Sequence, residues 1–432
     1  MQRAAAVLEM FRLLAGLAGL AVGLVAGGCR SPRAPANPSG LSTLAPEPPL
    51  DGPAVAALIP EHVRERGAWA EAVVNGLGAN GLPVDRGSVC AVLAIVGQES
   101  GFEADPAVPG LAKVVAERIA RDEARLGPLG EPLVRRLLAG RAPDDARTFA
   151  QRLGVVRTER DVDVLFRDIV AYHEANHPVL FGTASLAGKL FDVREVRALN
   201  PITTAGSMQV SVRFAEEWAR AHPGKASSPG EIRDALYTRN GGVYYGTARL
   251  LAYAAHYPRA IFRFADYNAG FYASRNAAIQ AKLSLLTGRR LVPDGDLLAY
   301  EKDGSLKDGE TESERAVRNF AERSSPTLSA AAIRADLRLE KTLELETTAT
   351  YRAIEHAAAE QLARGRGRGP GAGVAYAILP EVAISSPKFA GTRSTAWFAE
   401  SVDRRYRACL VRAGVPAELD RDPAGGAPAR ME

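Results

Sequence analysis

Net charge is scarce in this chain. Across 432 residues, 54 Lys and Arg face 50 Asp and Glu, leaving +4. That excludes a global electrostatic case for nucleic acid and leaves only a weak one for acidic partners such as an anionic cell-wall polymer. Long apolar runs are missing beyond the N-terminus, which excludes a protein with several membrane spans. Cysteine is rare: Cys29, Cys90 and Cys409 are the only three. The Gly/Arg run at 364–373 lacks the Lys-Ser/Thr ending of a phosphate loop and reads as a linker. What is present is ordinary globular composition, 47% hydrophobic and 24% charged. The length suits two or three domains, or one domain with large additions.

The N-terminus reads as a targeting segment. Arg3 and Arg12 flank a short n-region, and Leu13 to Val25 supplies an apolar stretch too short to span a membrane comfortably. Val25-Ala26-Gly27-Gly28-Cys29 resembles a bacterial lipobox, in which small residues precede a Cys that is lipidated and becomes the mature N-terminus. Ala26 stands where Leu is commonest. We therefore expect a lipoprotein signal peptide over 1–28, acyl chains (palmitate among them) on Cys29 and a Pro-rich tether over 29–54. Two or more chains anchor a protein stably. Arg30 follows the Cys where Asp would signal inner-membrane retention, so the expected location is the periplasmic face of the outer membrane. In an oxidising periplasm Cys90 and Cys409 can pair; two separately buried thiols fit the sequence equally.

Helical patterning dominates the rest. Ser88 to Gln98 is apolar almost all round and predicts a buried central helix. Val210, Phe214 and Trp218 mark one helix face. Ser228-Pro229-Gly230-Glu231 is a helix start, and Gly241-Gly242 is expected to break that helix. A second helix then runs to just before Pro258, a third over about 260–267 and a fourth over about 272–286. The charged stretch between Phe102 and Ile202 keeps helical spacing and predicts an inserted helical subdomain. After Gly288 a turn-rich segment suggests a hairpin. Leu328 to Ala363 predicts a long helix, and the end of the chain an extended segment with a closing helix. The expected fold class is mainly α.

Three short stretches carry chemistry: ESGF at 99–102, GSMQV at 206–210 and YNAG at 267–270. A carboxylate at the end of a buried helix is costly unless it is paired, hydrogen-bonded or used. In this order the three stretches resemble the soluble lytic transglycosylases, goose-type-lysozyme-like enzymes that cleave peptidoglycan; the likeness covers roughly residues 85–285. The whole chain is also similar to a bacterial lipoprotein family of unknown function.

The resemblance implies a lysozyme-like core over 55–290 with a helical insertion at 107–200 and a C-terminal helical extension over 291–432. It implies cleavage of the bond between N-acetylmuramic acid and N-acetylglucosamine with 1,6-anhydro ring closure, needing no cofactor or metal. Glu99 matches the sole acid/base, with a pKa expected to be raised by the Val92–Val96 wall. Ser100 matches the residue that helps orient it or touches the substrate. Met208 and Gln209 match the cleft floor, with Gln209 toward an acetamido group. Tyr267 matches the Tyr that reaches toward the Glu, and Asn268 its substrate-facing or structural neighbour. The expected partners are peptidoglycan strands and, through Cys29, a membrane.

The chain departs from the pattern. The Met-Gln turn normally follows the Glu after one short loop, whereas 209 − 99 = 110 positions intervene here. Ser207 replaces the usual Leu, and Arg249 stands where Tyr is usual. Met208 and Tyr267 also read as plain core residues, Glu103 as solvated, and Asp105-Pro106 as a turn; Glu103 and Asp105 are the alternative second carboxylates of an inverting hydrolase. A catalytically inactive glycan-binding lipoprotein is a competing class. So is a zinc hydrolase using His173-Glu174-Ala175-Asn176-His177. Pro178 ends that helix at once and no third-ligand motif follows, so no metal site is expected.

Overall fold

Residues 48–125, 127–176, 200–223, 228–301, 304–324, 328–365, 375–384 and 392–416 are described by a computed structural model. They are mainly helical. The first three helices are α1 (Gly52–Leu58), α2 (Arg66–Ala79) and α3 (Arg86–Glu99). The inserted region holds α4 (Leu111–Arg125), α5 (Gly130–Leu138), α6 (Phe149–Leu153) and α7 (Glu159–Asn176). A small antiparallel pair follows, β1 (Thr204–Ala205) with β2 (Val210–Ser211). Next come α8 (Val212–Ala221), α9 (Pro229–Leu236), α10 (Arg239–Leu251), α11 (Ala260–Ala269) and α12 (Ala273–Thr287). The last part has α13 (Glu312–Ser324), α14 (Ala330–Leu337), α15 (Ala349–Ala363), the pair β3 (Ala383–Ile384) and β4 (Arg393–Ser394), and α16 (Thr395–Arg412).

Side-chain caps fix several starts. Asp85 accepts from the Ser88 amide at 2.7 Å to begin α3. Ser228 and Glu231 form a capping box with Pro229 in the first turn, so α9 begins where its sequence predicts. Gly241-Gly242 does not break a helix. α9 already stops at Leu236, and Thr238 caps α10 by accepting from the Gly241 amide at 3.0 Å. The two glycines therefore fall in the first turn of α10, where a Cβ on Gly241 would lie 2.1 Å from the Ala235 carbonyl oxygen. Similarly, Val210 lies on β2 and not on the helix with Phe214 and Trp218.

From Gly87 to Val96 every residue of α3 is buried. α2 and α10 cross beside it, and Asn80 stitches them by donating to the Gly76 and Tyr244 carbonyls at 2.7 and 2.9 Å. From the far end of the chain, α16 returns to cover α3. Cys90 and Cys409 are joined in a disulfide, and Ser401 Oγ donates to Gln98 Oε1 at 2.8 Å.

The inserted helices share this core through Leu111, Val115, Phe149, Phe166 and Ile169. An antiparallel bridge between Ala107 and Thr158 brings the start of the insert beside the start of α7. Buried Asp163 accepts from Asn200 Nδ2 at 2.7 Å and Arg233 at 2.5 Å, tying α7 to the chain's return and to α9.

A second core joins Ile279 and Leu283 of α12 to Val317, Phe320, Leu337 and Ile354. The long helix expected over 328–363 is instead two. Between them Arg275 takes the Glu340 carbonyl at 2.7 Å, and Thr348 caps α15. Of the expected hairpin after Gly288, the described residues show the bridge of Tyr300 with Leu306, with the Glu301 amide donating to the Ser305 carbonyl and the Lys307 amide to that of Ala299. Among the described residues no helix is long and apolar enough to cross a membrane. The expected signal peptide and Cys29 lie outside the described residues.

Candidate active site

Glu99 is the last residue of α3 and is half-buried. The buried helix thus ends on a partly exposed carboxylate. Ser100 ends the helix, its amide donating to the Val96 carbonyl at 3.1 Å. The Ser100 hydroxyl donates to the same carbonyl at 3.1 Å and accepts from the Glu103 amide at 3.3 Å. Gly101 (φ +61°) and Phe102 (φ +68°) then turn the chain sharply away, and Phe102 packs edge-on against Trp69. Ser100 therefore shapes the exit from α3. Glu103 is exposed, while half-buried Asp105 accepts from the Thr158 hydroxyl at 3.1 Å. Burial raises the Asp105 pKa, and that hydroxyl opposes the rise.

The second motif is a hairpin tip. Gly206-Ser207-Met208-Gln209 joins β1 to β2, and the Gln209 amide returns to the Gly206 carbonyl at 3.0 Å. Gly206 (φ +77°) is needed there: a Cβ would lie 1.9 Å from the Leu236 carbonyl oxygen. Met208 is fully buried against Gly246, so its side chain belongs to the core and not to a cleft floor. Gln209 adopts φ +49°, a strained value for a residue with a Cβ. Its amide is committed within the protein. Nε2 donates to Glu159 at 2.9 Å and to the Gly206 carbonyl at 3.3 Å, and Oε1 accepts from Thr204 at 3.2 Å. The expected bond to an acetamido group would compete with Glu159, a residue supplied by the insert.

The third motif ties these pieces together. Tyr267 is buried on α11 and donates its hydroxyl to the Met208 carbonyl at 2.6 Å. Its pKa stands well above the ordinary tyrosine value. Burial is the main cause, the Glu99 carboxylate adds to it, and the Arg249 cation opposes it. Glu99, the hairpin tip and Tyr267 thus form one constellation. Asn268 is nearly buried, and its Oδ1 accepts from the Thr395 hydroxyl at 2.8 Å. In this structure that oxygen holds α16 rather than facing a substrate.

Three contributors escape sequence reading, and a fourth, Arg249, shows there only as a departure. Glu159 and Thr395 come from segments remote in sequence, with no local pattern to betray them. Asp266, just before Tyr267, is a buried hub: it accepts from the Tyr257 hydroxyl at 2.6 Å, the Tyr272 amide at 2.9 Å and the Ser274 amide at 2.8 Å. Burial raises its pKa against those hydrogen bonds. Arg249 is only 4% exposed, stacks 3.9 Å from the centre of the Phe271 ring and approaches the Asp266 carbonyl at 3.5 Å. The sequence signal for Arg249 was its departure from the expected Tyr.

His173 of the rival motif is buried in the insert, with Nε2 3.3 Å from the Leu137 carbonyl. His177 and Pro178 lie outside the described residues. Among the described residues no group of three or more His, Cys, Asp or Glu side chains is placed to hold a metal ion.

Fold and site together define a mainly helical, disulfide-linked protein that gathers a helix-end carboxylate, a hairpin tip and a buried tyrosine at one place. The chain belongs to the family described as "Protein of unknown function (DUF1615)", which matches residues 62–412. It is similar to the "Uncharacterized protein YaiW" of Escherichia coli (strain K12), with 35% identity over 379 residues, covering 86% of this chain and 94% of that protein. No solved structure matches.

Proposed function

We propose that this protein is a peptidoglycan lytic transglycosylase with Glu99 as its acid/base. The observation that carries the reading is the meeting of three motifs far apart in sequence: Tyr267 bonds the GSMQ tip and feels the charge of Glu99. In the proposed reaction Glu99 protonates the glycosidic oxygen between N-acetylmuramic acid and N-acetylglucosamine. The substrate's own N-acetyl carbonyl stabilises the oxocarbenium-like centre. The ionised Glu99 then takes the proton of the sugar's C6 hydroxyl as that oxygen closes on C1, giving a 1,6-anhydro end and returning the proton to the enzyme. The buried Tyr267 bond to Met208 fixes the hairpin beside the carboxylate, a positioning role. The test is digestion of purified sacculi by the protein and by Glu99→Gln, with products read by mass spectrometry.

A second reading, a glycan-binding protein without turnover, draws on two observations. The Gln209 amide is engaged by Glu159, and a buried Arg249, packed on Phe271 and near the Asp266 carbonyl, stands where the resemblance expects a Tyr. Binding of sacculi without release of soluble products would select this reading.

The proposed location is the periplasmic face of the outer membrane, anchored through Cys29. The Cys90–Cys409 disulfide supports an oxidising compartment. Cys29→Ala should release the protein from membranes; unchanged membrane association and processing would exclude lipidation at this residue.

A further inference from the structure

We propose that the β3–β4 pair and the first turn of α16 build a glycan subsite continuous with the Glu99 site, using Trp397 as a sugar platform and Arg393 as a contact for stem-peptide carboxylates. This rests on the peptidoglycan reading above and deepens it by assigning substrate recognition to the C-terminal part of the chain.

A groove of about 440 Å³ lies there, lined among others by Pro380, Glu381, Thr392, Arg393, Ser394 and Trp397. Ligand clefts commonly measure roughly 300–1,000 Å³. Two side-chain bonds join the helix that bears Trp397 to the site. Thr395 bonds Asn268, the neighbour of Tyr267, and Ser401 bonds Gln98, the neighbour of Glu99. Trp397 and Ser401 are four positions apart on α16, on one face and separated by about 6 Å of helix rise. The indole therefore stands about one helical turn beyond a direct contact with the residue preceding Glu99.

The chemistry suits an anionic glycan. Trp397 is half-buried against the core, and the exposed part of its indole presents apolar surface for the C–H face of a sugar ring. The exposed Arg393 guanidinium lies over the same ring, 4.9 Å from its centre, and lines the platform beside it. It can grip a carboxylate through two parallel N–H bonds. Glu381 on the same groove supplies an acceptor for acetamido N–H or hydroxyl groups. A neutral chitin-type oligomer would satisfy the indole alone; a peptide-bearing muropeptide would satisfy both residues.

The experiment uses the full mature chain carrying Glu99→Gln, so that probes stay intact. Affinities are measured for tetra-N-acetylchitotetraose and for a GlcNAc–MurNAc tetrapeptide. Adding Trp397→Ala should weaken both probes about tenfold, equivalent to about 1.4 kcal/mol, while Trp397→Phe retains most binding. Adding Arg393→Gln should weaken only the muropeptide, several-fold, with the difference shrinking at high salt. Unchanged affinities in a Trp397→Ala protein of parental thermal midpoint would overturn the subsite. If that variant fails to fold, exposed Arg393 decides: equal affinities of Arg393→Gln and its parent for the muropeptide also overturn it. Failure of this inference is separable from failure of the proposed activity. Glu99-dependent cleavage by the unsubstituted protein, with probe affinities unchanged by Trp397→Ala and Arg393→Gln, removes only the subsite. Lost binding in these variants, with no cleavage by the unsubstituted protein, removes only the activity.

Discussion

Gly246→Ala is a substitution whose sign tests the packing at the heart of the site. Gly246 lies inside α10, where replacing Gly by Ala ordinarily stabilises a helix by about 1 kcal/mol. Here the added Cβ would sit 2.1 Å from the Met208 sulfur and 2.8 Å from both Met208 Cβ and Cε. Because Cβ as well as the flexible tip is struck, the whole residue must move by about an ångström. Overpacking of this kind costs roughly 1–3 kcal/mol, so after the helix gain the net expectation is a loss of up to about 2 kcal/mol, against a gain in the open control position. The Met208 carbonyl that holds Tyr267 would shift with it. A misplacement of about 1 Å can lower turnover by ~10²-fold, with KM moving less. Urea unfolding at constant m reads the stability, and sacculus digestion reads the turnover. Gly78→Ala is the control, since a Cβ there meets nothing within 4 Å; it should stabilise slightly. In a Met208→Ala background the sulfur and Cε contacts are gone and only the 2.8 Å contact with Cβ remains, so Gly246→Ala should cost less than in the parent, exposing the coupling in a double-mutant cycle. If Gly246→Ala raises stability as Gly78→Ala does, the close packing of the hairpin tip on α10 is refuted.

Removing the disulfide by Cys409→Ser should cost up to about 5 kcal/mol, because the bond closes a loop of 319 positions; an unchanged denaturation midpoint under oxidising conditions would contradict it. Glu340→Gln should flatten the pH dependence of stability. Burial raises the Glu340 pKa from 4.5 to about 7, against the Lys341 charge. The folded protein therefore binds this proton more tightly than the unfolded chain. That contribution is full below about pH 4.5 and is lost as pH rises through 7, a change on the order of 3 kcal/mol. Denaturant midpoints at pH 5 and pH 8 should thus differ less in Glu340→Gln than in the parent; equal differences would sink the assignment. Glu159→Ala should free the Gln209 amide and alter KM for glycan more than the thermal midpoint; identical kinetics would show that the insert does not act on the hairpin.

Much of the fold was legible because periodicity and capping are local. The apolar surround of Val89 to Val96 predicts a buried helix, and Ser228, Pro229 and Glu231 fix the start of α9. The break expected at Gly241-Gly242 failed because glycine also serves close approach, and only the position of the Ala235 carbonyl reveals which use applies. The single helix expected over 328–363 failed for a related reason: Arg275, more than 50 positions upstream, takes the Glu340 carbonyl at the turn. In the candidate site, motif order pointed to Glu99, Met208 and Tyr267 as neighbours. It did not reveal that Gln209 answers to Glu159, or that Asn268 answers to Thr395. Those bonds join segments 50 and 127 positions apart, and polar pairing over such distances leaves no trace in spacing. The sequence likewise leaves the pairing of Cys90 with Cys409 open, because the bond depends on α16 lying along α3.

The central claim is that Glu99 alone delivers and retrieves the proton in a ring-closing cleavage. Its most direct test is the end-group analysis of glycan released from sacculi by the protein, by Glu99→Gln, and by Glu103→Gln and Asp105→Asn. The account predicts 1,6-anhydro ends from the parent, near-parental release from the two controls, and a fall of ~10⁴-fold or more for Glu99→Gln with its fold and glycan binding intact. Reducing ends that depend on Glu103 or Asp105 would contradict it, as would release that survives the loss of Glu99.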